Sequence, residues 1–219
     1  MNVVNPYRFG GGGGGWVPPS ADLWYHGSDG SSGVWIDQLG NQDATIQGGA
    51  APTADGVICD VSNFAYLPYS YFNSSFGGST KLSGAFWVKN SASSGDFGIF
   101  ANGDGWTSGV NGIYASMSPD RAKLDINNIA QYYAEGVGLW DGSWVHVAFV
   151  FDSTASRAEV YINNVKTSVD FAAATVGTNT SNFKMGQRCD QIDDCILSLS
   201  AWAESDIDDI YNNSPGSHV

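Results

Sequence analysis

The chain has 219 residues, and its 9 basic and 22 acidic side chains give a net charge of −13 at pH 7. This charge excludes a nucleic-acid-binding protein and disfavours one that adheres to anionic membranes, because both surfaces require clustered cations. The length fits one domain, or one domain with an arm. The 42% hydrophobic content, with eight Trp, excludes a disordered chain.

The acidic residues are almost all aspartate, since only Glu135, Glu159 and Glu204 are glutamate. Asp favours turns and helix caps whereas Glu favours helix interiors, so this bias argues against a helical protein. The odd number of cysteines favours buried free thiols over a disulfide framework. A short loop closed by a disulfide between Cys189 and Cys195 is the alternative, with Cys59 left over.

The first 20 residues differ in composition from the rest of the chain. Six consecutive glycines, residues 10–15, are flanked by aromatic residues that a simple flexible spacer does not need. We therefore predict an N-terminal arm over residues 1–20, followed by a folded domain over residues 21–219. The residues predicted to dock this arm onto a partner are Tyr7, Arg8, Phe9 and Trp16.

From residue 21 onward, short apolar runs alternate with turn residues at the spacing typical of a sandwich of antiparallel strands. The run over residues 145–151 is apolar on both faces, which predicts a central strand covered on both sides. Asn163 and Asn164 predict a tight hairpin turn, because Asn tolerates positive φ. The predicted strands cover residues 57–61, 85–88, 97–100, 112–115, 123–126, 144–151, 158–162 and 195–199.

A single helix is predicted near the end of the chain. Ser205 and Asp208 form a capping-box pattern with Ser205 as the N-cap. Ile207, Ile210 and Tyr211 then share one face at helical spacing. The sequence thus predicts an all-β protein with one short C-terminal helix and an extended N-terminal arm.

Residues 141–152 (DGSWVHVAFVFD) and 157–164 (RAEVYINN) resemble two consecutive strands of the laminin-G-like jelly rolls in the concanavalin A-like lectin/glucanase superfamily. Residues 192–211 are similar to the closing strand and short helix of that family, and residues 35–44 to its N-terminal turn. The resemblance spans about residues 22–213. It implies a two-sheet antiparallel β-sandwich, that is, a concanavalin A-like jelly roll.

The superfamily includes glycoside hydrolases, so the resemblance raises the question of catalysis. Its glucanases carry two Glu and an Asp interleaved on one strand, and retaining hydrolysis needs two carboxyl groups about 5–5.5 Å apart. No predicted strand here carries that pattern. His146 lies on an apolar strand, where a lone His more often belongs to the core than to a catalytic site. We therefore predict a protein without enzymatic activity and without catalytic residues.

The resemblance also implies one structural Ca²⁺, held by carboxylates and backbone carbonyls near the closing strand and the N-terminal turn. Oxygen ligands on flexible loops suit this ion. The alternative is that the carboxylates only cap turns. The matching side chains are Asp193, Asp194, Asp37 and Asp43.

Glycan binding would use exposed aromatic side chains that stack on sugar rings, and the candidates are Trp106, Tyr71 and Tyr132. The alternative is that these aromatic residues serve the core or a subunit contact, as they usually do in sandwiches.

The N-terminus shows no secretory signal, and no apolar run approaches the length of a membrane span. A lectin-like sandwich made this way needs another route out of the cell. The first ten residues resemble the start of tailed-bacteriophage structural proteins. We therefore predict a virion protein, assembled in the host cytoplasm as a capsid decoration, fibre or tail component. Its predicted partners are other virion proteins, copies of itself and a cell-surface glycan; the alternative is a free Ca²⁺-dependent lectin.

Overall fold

The computed structural model describes residues 16–49, 51–60, 62–91, 97–102, 112–118, 121–127, 130–135, 141–168, 174–214 and 218. The strands are β1 (Leu23–Ser31), β2 (Val34–Asp37), β3 (Ala44–Gln47), β4 (Val57–Ile58), β5 (Phe64–Leu67), β6 (Lys81–Lys89), β7 (Phe97–Asn102), β8 (Ile113–Ser118), β9 (Arg121–Ile126), β10 (Ala130–Glu135), β11 (Trp144–Asp152), β12 (Arg157–Ile162), β13 (Val165–Ser168), β14 (Phe183–Met185) and β15 (Gln191–Ser198). The helices are α1 (Tyr69–Phe76) and α2 (Glu204–Asn213).

Antiparallel hydrogen bonds join the strands in the order β10-β9-β8-β7-β14-β5-β3-β2-β1-β15-β6-β11-β12-β13, with β4 beside β15. The two ends of this path pack against each other through a shared apolar core. Phe100 of β7 contacts Phe86 of β6 and Phe149 of β11, with ring centroids 5.3 and 6.0 Å apart. The predicted antiparallel β-sandwich is confirmed.

The core is tightly packed at Gly84 of β6. A Cβ atom at this position would lie 2.5 Å from the Phe149 ring, so only glycine fits without displacing a core aromatic. The strand β11 runs between β6 and β12, and all of its residues after Trp144 are buried. This confirms the prediction of a central strand covered on both sides.

The hairpin between β12 and β13 is confirmed. Asn163 and Asn164 have φ values of 47° and 64°, and Ile162 pairs with Val165 across the turn. These values lie in the left-handed region, which Asn adopts at low cost.

The C-terminal helix is confirmed in position, but its predicted N-cap is wrong. Helix α2 begins at Glu204, so Ser205 lies within the first turn and Ala203 takes the cap position. The Ala203 N–H donates to Asp206 Oδ2 at 2.7 Å, which satisfies one of the amides left free at the helix start.

A second helix, α1, was not expected from the sequence, because its Tyr, Ser, Phe and Asn residues favour helices only weakly. Tertiary packing stabilises it instead. Phe72 and Phe76 are buried, and the Phe72 ring stacks on Phe183 of β14 with centroids 4.5 Å apart. The prediction of a single helix is therefore wrong.

The three cysteines are buried free thiols, as the odd count favoured. Burial raises the pKa of the Cys189 and Cys195 thiols well above the ordinary value, which makes them poor nucleophiles at neutral pH.

The described part of the predicted arm begins at Trp16 and packs onto the sandwich. The Trp16 indole donates to Asp209 Oδ2 at 2.9 Å and lies edge-on to Trp24. The Trp202 indole donates to the Pro19 carbonyl at 2.8 Å. Tyr7, Arg8 and Phe9 lie outside the described residues. Within the described part of the chain, no helix is long and apolar enough to cross a membrane.

Candidate functional site

Polar and aromatic side chains cover the outer side of six strands, β3, β5, β14, β7, β8 and β9. Successive side chains on a strand point to opposite faces, so the residues between core residues point away from the core. On β8, for example, Ile113 and Ala115 face the core, whereas Tyr114 lies between them on the other side. Strand pairing aligns one such residue from each of the six strands in a continuous row, which we term the polar face. Its members are Thr45, Tyr66, Lys184, Ala101, Tyr114 and Asp125.

The polar face changes in character along this row. Thr45 is exposed and Tyr66 and Lys184 are half-buried, whereas Tyr114 and Asp125 are buried. Phe64 lies beside Tyr66 on the same side of β5, with the Lys184 ammonium 5.7 Å from the Phe64 ring. One end of the polar face therefore offers aromatic and cationic surface to solvent.

The buried end of the polar face contains an incompletely satisfied carboxylate. Asp125 is 3% exposed, and neither of its carboxylate oxygens accepts a hydrogen bond from the described residues. Lys123 Nζ lies 3.1 Å from Asp125 Oδ2, which balances the charge. A carboxylate can only accept hydrogen bonds, so Asp125 is suited to a ligand that donates them.

The opposite outer side, over β1, β15, β6 and β11, is covered by α2, and we term it the covered face. Its apolar residues form a second core with the helix. These residues are Trp24, Ala85, Ala148, Val150, Tyr161, Ile196, Trp202, Ile207 and Ile210.

His146 lies on the covered face and is fully buried. It packs between Trp87 and Tyr211, with ring centroids 5.1 and 5.4 Å away. Neither ring nitrogen has a hydrogen-bond partner among the described residues, and burial lowers the pKa of His146 to about 3. A neutral imidazole enclosed in this way packs like an aromatic ring and is unsuited to proton transfer with a substrate.

Two carboxylates and a histidine converge at the edge of the covered face, and we term them the acid–histidine cluster. The pairing of β15 with β6 is irregular after Asp193, and Asp194 has a positive φ of 44°. Regular alternation would send neighbouring side chains to opposite faces, but this irregularity lets both reach His26 of β1. His26 Nδ1 lies 3.2 Å from Asp194 Oδ1 and 3.7 Å from Asp193 Oδ1.

The remaining contacts of the acid–histidine cluster fix the orientation of both carboxylates. Asp193 Oδ1 accepts hydrogen bonds from the Gly27 and Asp194 amides, each at 2.8 Å. Asp194 Oδ1 accepts the Trp24 indole N–H at 3.0 Å. Burial alone would lower the pKa of His26, but the two carboxylates outweigh it and raise that pKa to about 10. The cluster thus strongly favours positive charge at its centre.

Asp37 and Asp43 organise the turn that follows β2. The Asp37 carboxylate is buried and accepts the backbone N–H groups of Trp24, Leu39, Asn41 and Gln42. Asp43 Oδ1 accepts the Asp37 amide at 3.0 Å. The structure therefore brings Asp193 and Asp194 together, with His26, and shows Asp37 and Asp43 bonded to the backbone of a separate turn.

The donor set does not match the oxygen-only shell that the calcium prediction assumed. Within the described residues, the metal-binding atoms that lie within 4.8 Å of one another belong to His26, Asp193 and Asp194. Ca²⁺ takes six to eight oxygen ligands. Here an imidazole nitrogen stands at the centre of the site, and the nearby Gly27 carbonyl accepts the Trp35 indole N–H at 3.1 Å. The residues present thus fit Ca²⁺ poorly.

Of the three predicted aromatic glycan-binding residues, only Tyr71 has a side chain within the described part of the chain. Tyr71 lies on α1 and is half-buried against the main core, where burial raises its pKa. The backbone of Tyr132 on β10 pairs with Leu124, and its side chain lies outside the described part of the chain. Trp106 lies outside the described residues as well.

A polar pocket of about 320 Å³ lies where the β12–β13 hairpin meets α2. Its Lys166 ammonium bridges Glu159, at 2.8 Å, and Glu204, at 2.7 Å. Glu159 also accepts hydrogen bonds from Arg157 at 2.6 Å and from Tyr161 at 2.7 Å. These groups satisfy one another, so the network fastens the helix to the hairpin.

Antiparallel strands packed around a shared core, with a helix over one outer face, define a β-sandwich protein. A laminin G family model, described as the concanavalin A-like lectin/glucanases superfamily, matches residues 61–195, and the chain belongs to this family. No curated protein sequence matches the chain significantly.

Solved structures share the fold. Domain 4 of AbnA, a GH43 extracellular arabinanase from Geobacillus stearothermophilus in complex with arabinotriose, is 19% identical, with a TM-score of 0.64 over 89% of this chain and 99% of that domain. The receptor binding domain of botulinum neurotoxin C/D mosaic serotype is 12% identical, with a TM-score of 0.66 over 89% of this chain and 51% of that one. Trypanosoma rangeli sialidase, in complex with 2,3-difluorosialic acid, is 12% identical, with a TM-score of 0.62 over 87% of this chain and 32% of that one. At these identities the likeness concerns the fold.

Neither His26 nor Asp125 is among the site residues predicted from the sequence. Asp125 could have been found from the alternation within β9, where Leu124 and Ile126 face the core and Asp125 must leave it. His26 carries no such local signal, because its partners lie more than 160 residues away in the chain.

Proposed function

We propose that this protein is a non-enzymatic recognition module that binds a glycan on its polar face. The observation that carries the proposal is Asp125, a buried carboxylate with no hydrogen-bond donor among the described residues apart from the nearby Lys123 ammonium. Sugar hydroxyls are donors of the kind that such a carboxylate accepts.

The accessible end of the polar face supplies the complementary surface. Tyr66 is half-buried and offers part of its ring surface, with the buried Phe64 ring beside it, and Lys184 offers a cation. Ligand sites combine apolar and aromatic surface with a few placed polar groups, and the polar face has this composition. The fold shared with an arabinanase domain seen with arabinotriose supports a saccharide as the ligand class.

The test measures binding of the full chain to an oligosaccharide array, followed by titration calorimetry with each positive ligand and with arabinotriose. Asp125→Ala should weaken binding at least about 10-fold, since hydrogen bonds to a charged group contribute roughly 1.5–3 kcal/mol. Asp141→Ala is the matched control, because Asp141 is an exposed turn residue away from this face. Unchanged binding by Asp125→Ala, or no saccharide bound at millimolar concentration, would contradict the proposal.

The oligosaccharides that bind also allow a test of whether the module is an enzyme. Incubation with a bound oligosaccharide should release no new reducing ends. Release of reducing ends that Asp125→Ala abolishes would replace a binding function with hydrolysis.

We propose further that this module belongs to a tailed-bacteriophage virion, where residues 1–15 dock it to other virion proteins. The supporting features are the Gly-rich segment with Tyr7, Arg8 and Phe9, and the resemblance of the first ten residues to phage structural proteins. Because Trp16 and Pro19 pack onto the sandwich, a deletion of residues 1–15 is a cleaner test than one of residues 1–20.

The truncated protein lacking residues 1–15 should fold with an unchanged melting temperature and should be absent from purified particles. Incorporation at the level of the full chain would contradict the docking role. Loss of folding would instead show that these residues belong to the domain.

A further inference from the structure

The acid–histidine cluster contains buried polar atoms that the described part of the protein leaves without hydrogen bonds. These atoms are His26 Nδ1, Asp193 Oδ2 and His218 Nε2. Asp193 is fully buried, so its unpartnered oxygen has no access to bulk solvent. Buried polar atoms without partners are rare in native proteins and usually mark a missing ligand, water or ion.

Three ligand atoms, one each from His26, Asp193 and Asp194, lie within 4.8 Å of one another, and His218 lies beside Asp193 outside this group. His26 Nδ1 is 3.2 Å from Asp194 Oδ1, and His218 Nε2 is 3.6 Å from Asp193 Oδ2. Ligand atoms of a tetrahedral ion with bonds of 2.0–2.1 Å are separated by roughly 3.3 Å. The spacing therefore suits a small divalent ion held by His26, Asp193 and Asp194.

The surroundings hold the donors in place, as the outer shell of a metal site does. The Gly27 and Asp194 amides bond to Asp193 Oδ1, which leaves Asp193 Oδ2 for a cation. The His218 ring stacks on Trp144 at a centroid distance of 3.8 Å, with the planes 3° apart. The side chains of His26 and His218 are 17% and 15% exposed, so the cluster lies just beneath the protein surface.

We propose that His26, Asp193 and Asp194 bind one divalent transition-metal ion of the zinc class, and that this site does not take Ca²⁺. Mixed imidazole and carboxylate donors suit Zn²⁺ and its neighbours, whereas Ca²⁺ requires a shell of oxygens. The ion has a structural role. It ties β1 to β15.

The test uses the full chain stripped with EDTA and titrated separately with Zn²⁺ and Ca²⁺ by calorimetry. Zn²⁺ should bind with one ion per chain and raise the melting temperature. Ca²⁺ should produce no binding heat. Co²⁺ should give the visible absorption of a tetrahedral nitrogen–oxygen site without a thiolate charge-transfer band, which separates this site from the buried cysteines.

Two variants locate the ion. Asp193→Asn keeps an oxygen for the Gly27 amide and removes the charge, and His26→Phe keeps the ring beside Trp24 and removes the nitrogen. Each should weaken Zn²⁺ binding at least about 100-fold, beyond the 10–100-fold effect of losing an outer-shell partner. Asp190→Asn, an exposed carboxylate next to β15 in the chain, and His146→Phe should leave Zn²⁺ binding unchanged.

Absence of Zn²⁺ binding would overturn the proposal, as would Ca²⁺ binding of equal affinity. Zn²⁺ binding that survives in both Asp193→Asn and His26→Phe would also overturn it. If one of these variants fails to fold, the other and the Co²⁺ spectrum of the unaltered chain still decide the question. None of these results depends on whether the polar face binds a glycan.

Discussion

On β8 and β9 the residues that alternate with the core are Tyr114, Ser116 and Asp125, whereas on β11 and β15 they include Ala148, Val150 and Ile196. In both sets the side chains point away from the main core, because successive side chains on a strand point to opposite faces. They differ because α2 covers the second set, so the residues beneath the helix must be apolar. The alternation of a strand shows which residues leave the core, and the rest of the fold decides what they meet.

The covered face therefore behaves as a second core, whereas the polar face is exposed or half-buried at Thr45, Tyr66 and Lys184. His146 and the acid–histidine cluster show the consequence for titratable groups. His146 is enclosed and has no hydrogen-bond partner among the described residues, so burial lowers its pKa to about 3. The second has two carboxylates as neighbours, so the pKa of His26 rises to about 10 despite burial.

The largest expected difference between the faces comes from truncating one aromatic residue on each. Trp202→Ala should lower the free energy of unfolding by about 3–5 kcal/mol, since Trp202 is 1% exposed and fills the space between α2 and the sheet. Tyr66→Ala on the polar face should cost about 1 kcal/mol, because Tyr66 is half-buried. Urea unfolding measures both losses, and equal values would refute the description of the covered face as a second core.

His146 gives the next largest effect, and it depends on pH. Its folded pKa of about 3 lies below the unfolded value of about 6.5, so between these values the unfolded chain binds a proton that the folded chain does not. The free energy of unfolding therefore falls as the pH falls through this window, by roughly 3 kcal/mol from pH 6.5 to pH 4.

His146→Phe should remove this contribution and leave stability at pH 7 unchanged or higher, because the ring nitrogens have no hydrogen bonds to lose within the described residues. Chemical denaturation of both proteins at several pH values isolates the difference. The same acid slope in both would show that His146 is protonated in the folded protein.

The smallest predicted difference compares two carboxylates that share Lys166 at the rim of the covered face. Glu159→Ala should cost about 1–3 kcal/mol, because it leaves Arg157 and Tyr161 without their acceptor. Glu204→Ala should cost under about 1 kcal/mol, because the Glu204 side chain is 65% exposed and solvent screens its ion pair.

Glu159 also makes the stability depend on pH at low pH. Burial alone would raise the pKa of Glu159, but hydrogen bonds from Arg157, Lys166 and Tyr161 lower it to about 2. Because the folded pKa lies below the unfolded value, the stabilisation by Glu159 is lost as the pH falls from about 4.5 to 2. Equal costs for the two substitutions at pH 7, measured by thermal unfolding, would show that burial does not separate these ion pairs.

Much of the fold could be predicted from local patterns. The apolar run in β11, the Asn163–Asn164 turn and the cluster of turn residues between strands depend on neighbours in the chain, and each is confirmed. Helix α1 was missed because its stability comes from the stacking of Phe72 on Phe183, more than 100 residues away. A weak intrinsic helix propensity is overridden there by packing.

The sequence by itself determined the antiparallel β-sandwich, its buried central strand and the Asn163–Asn164 turn, because these depend on residue type, period and spacing. Only the tertiary structure decided which aspartates act together. Asp37 bonds to backbone amides of its own turn, whereas Asp193 and Asp194 meet His26 across a strand pair. The physical reason is that a carboxylate's role depends on the groups that surround it, and the chain brings those groups together only when it folds.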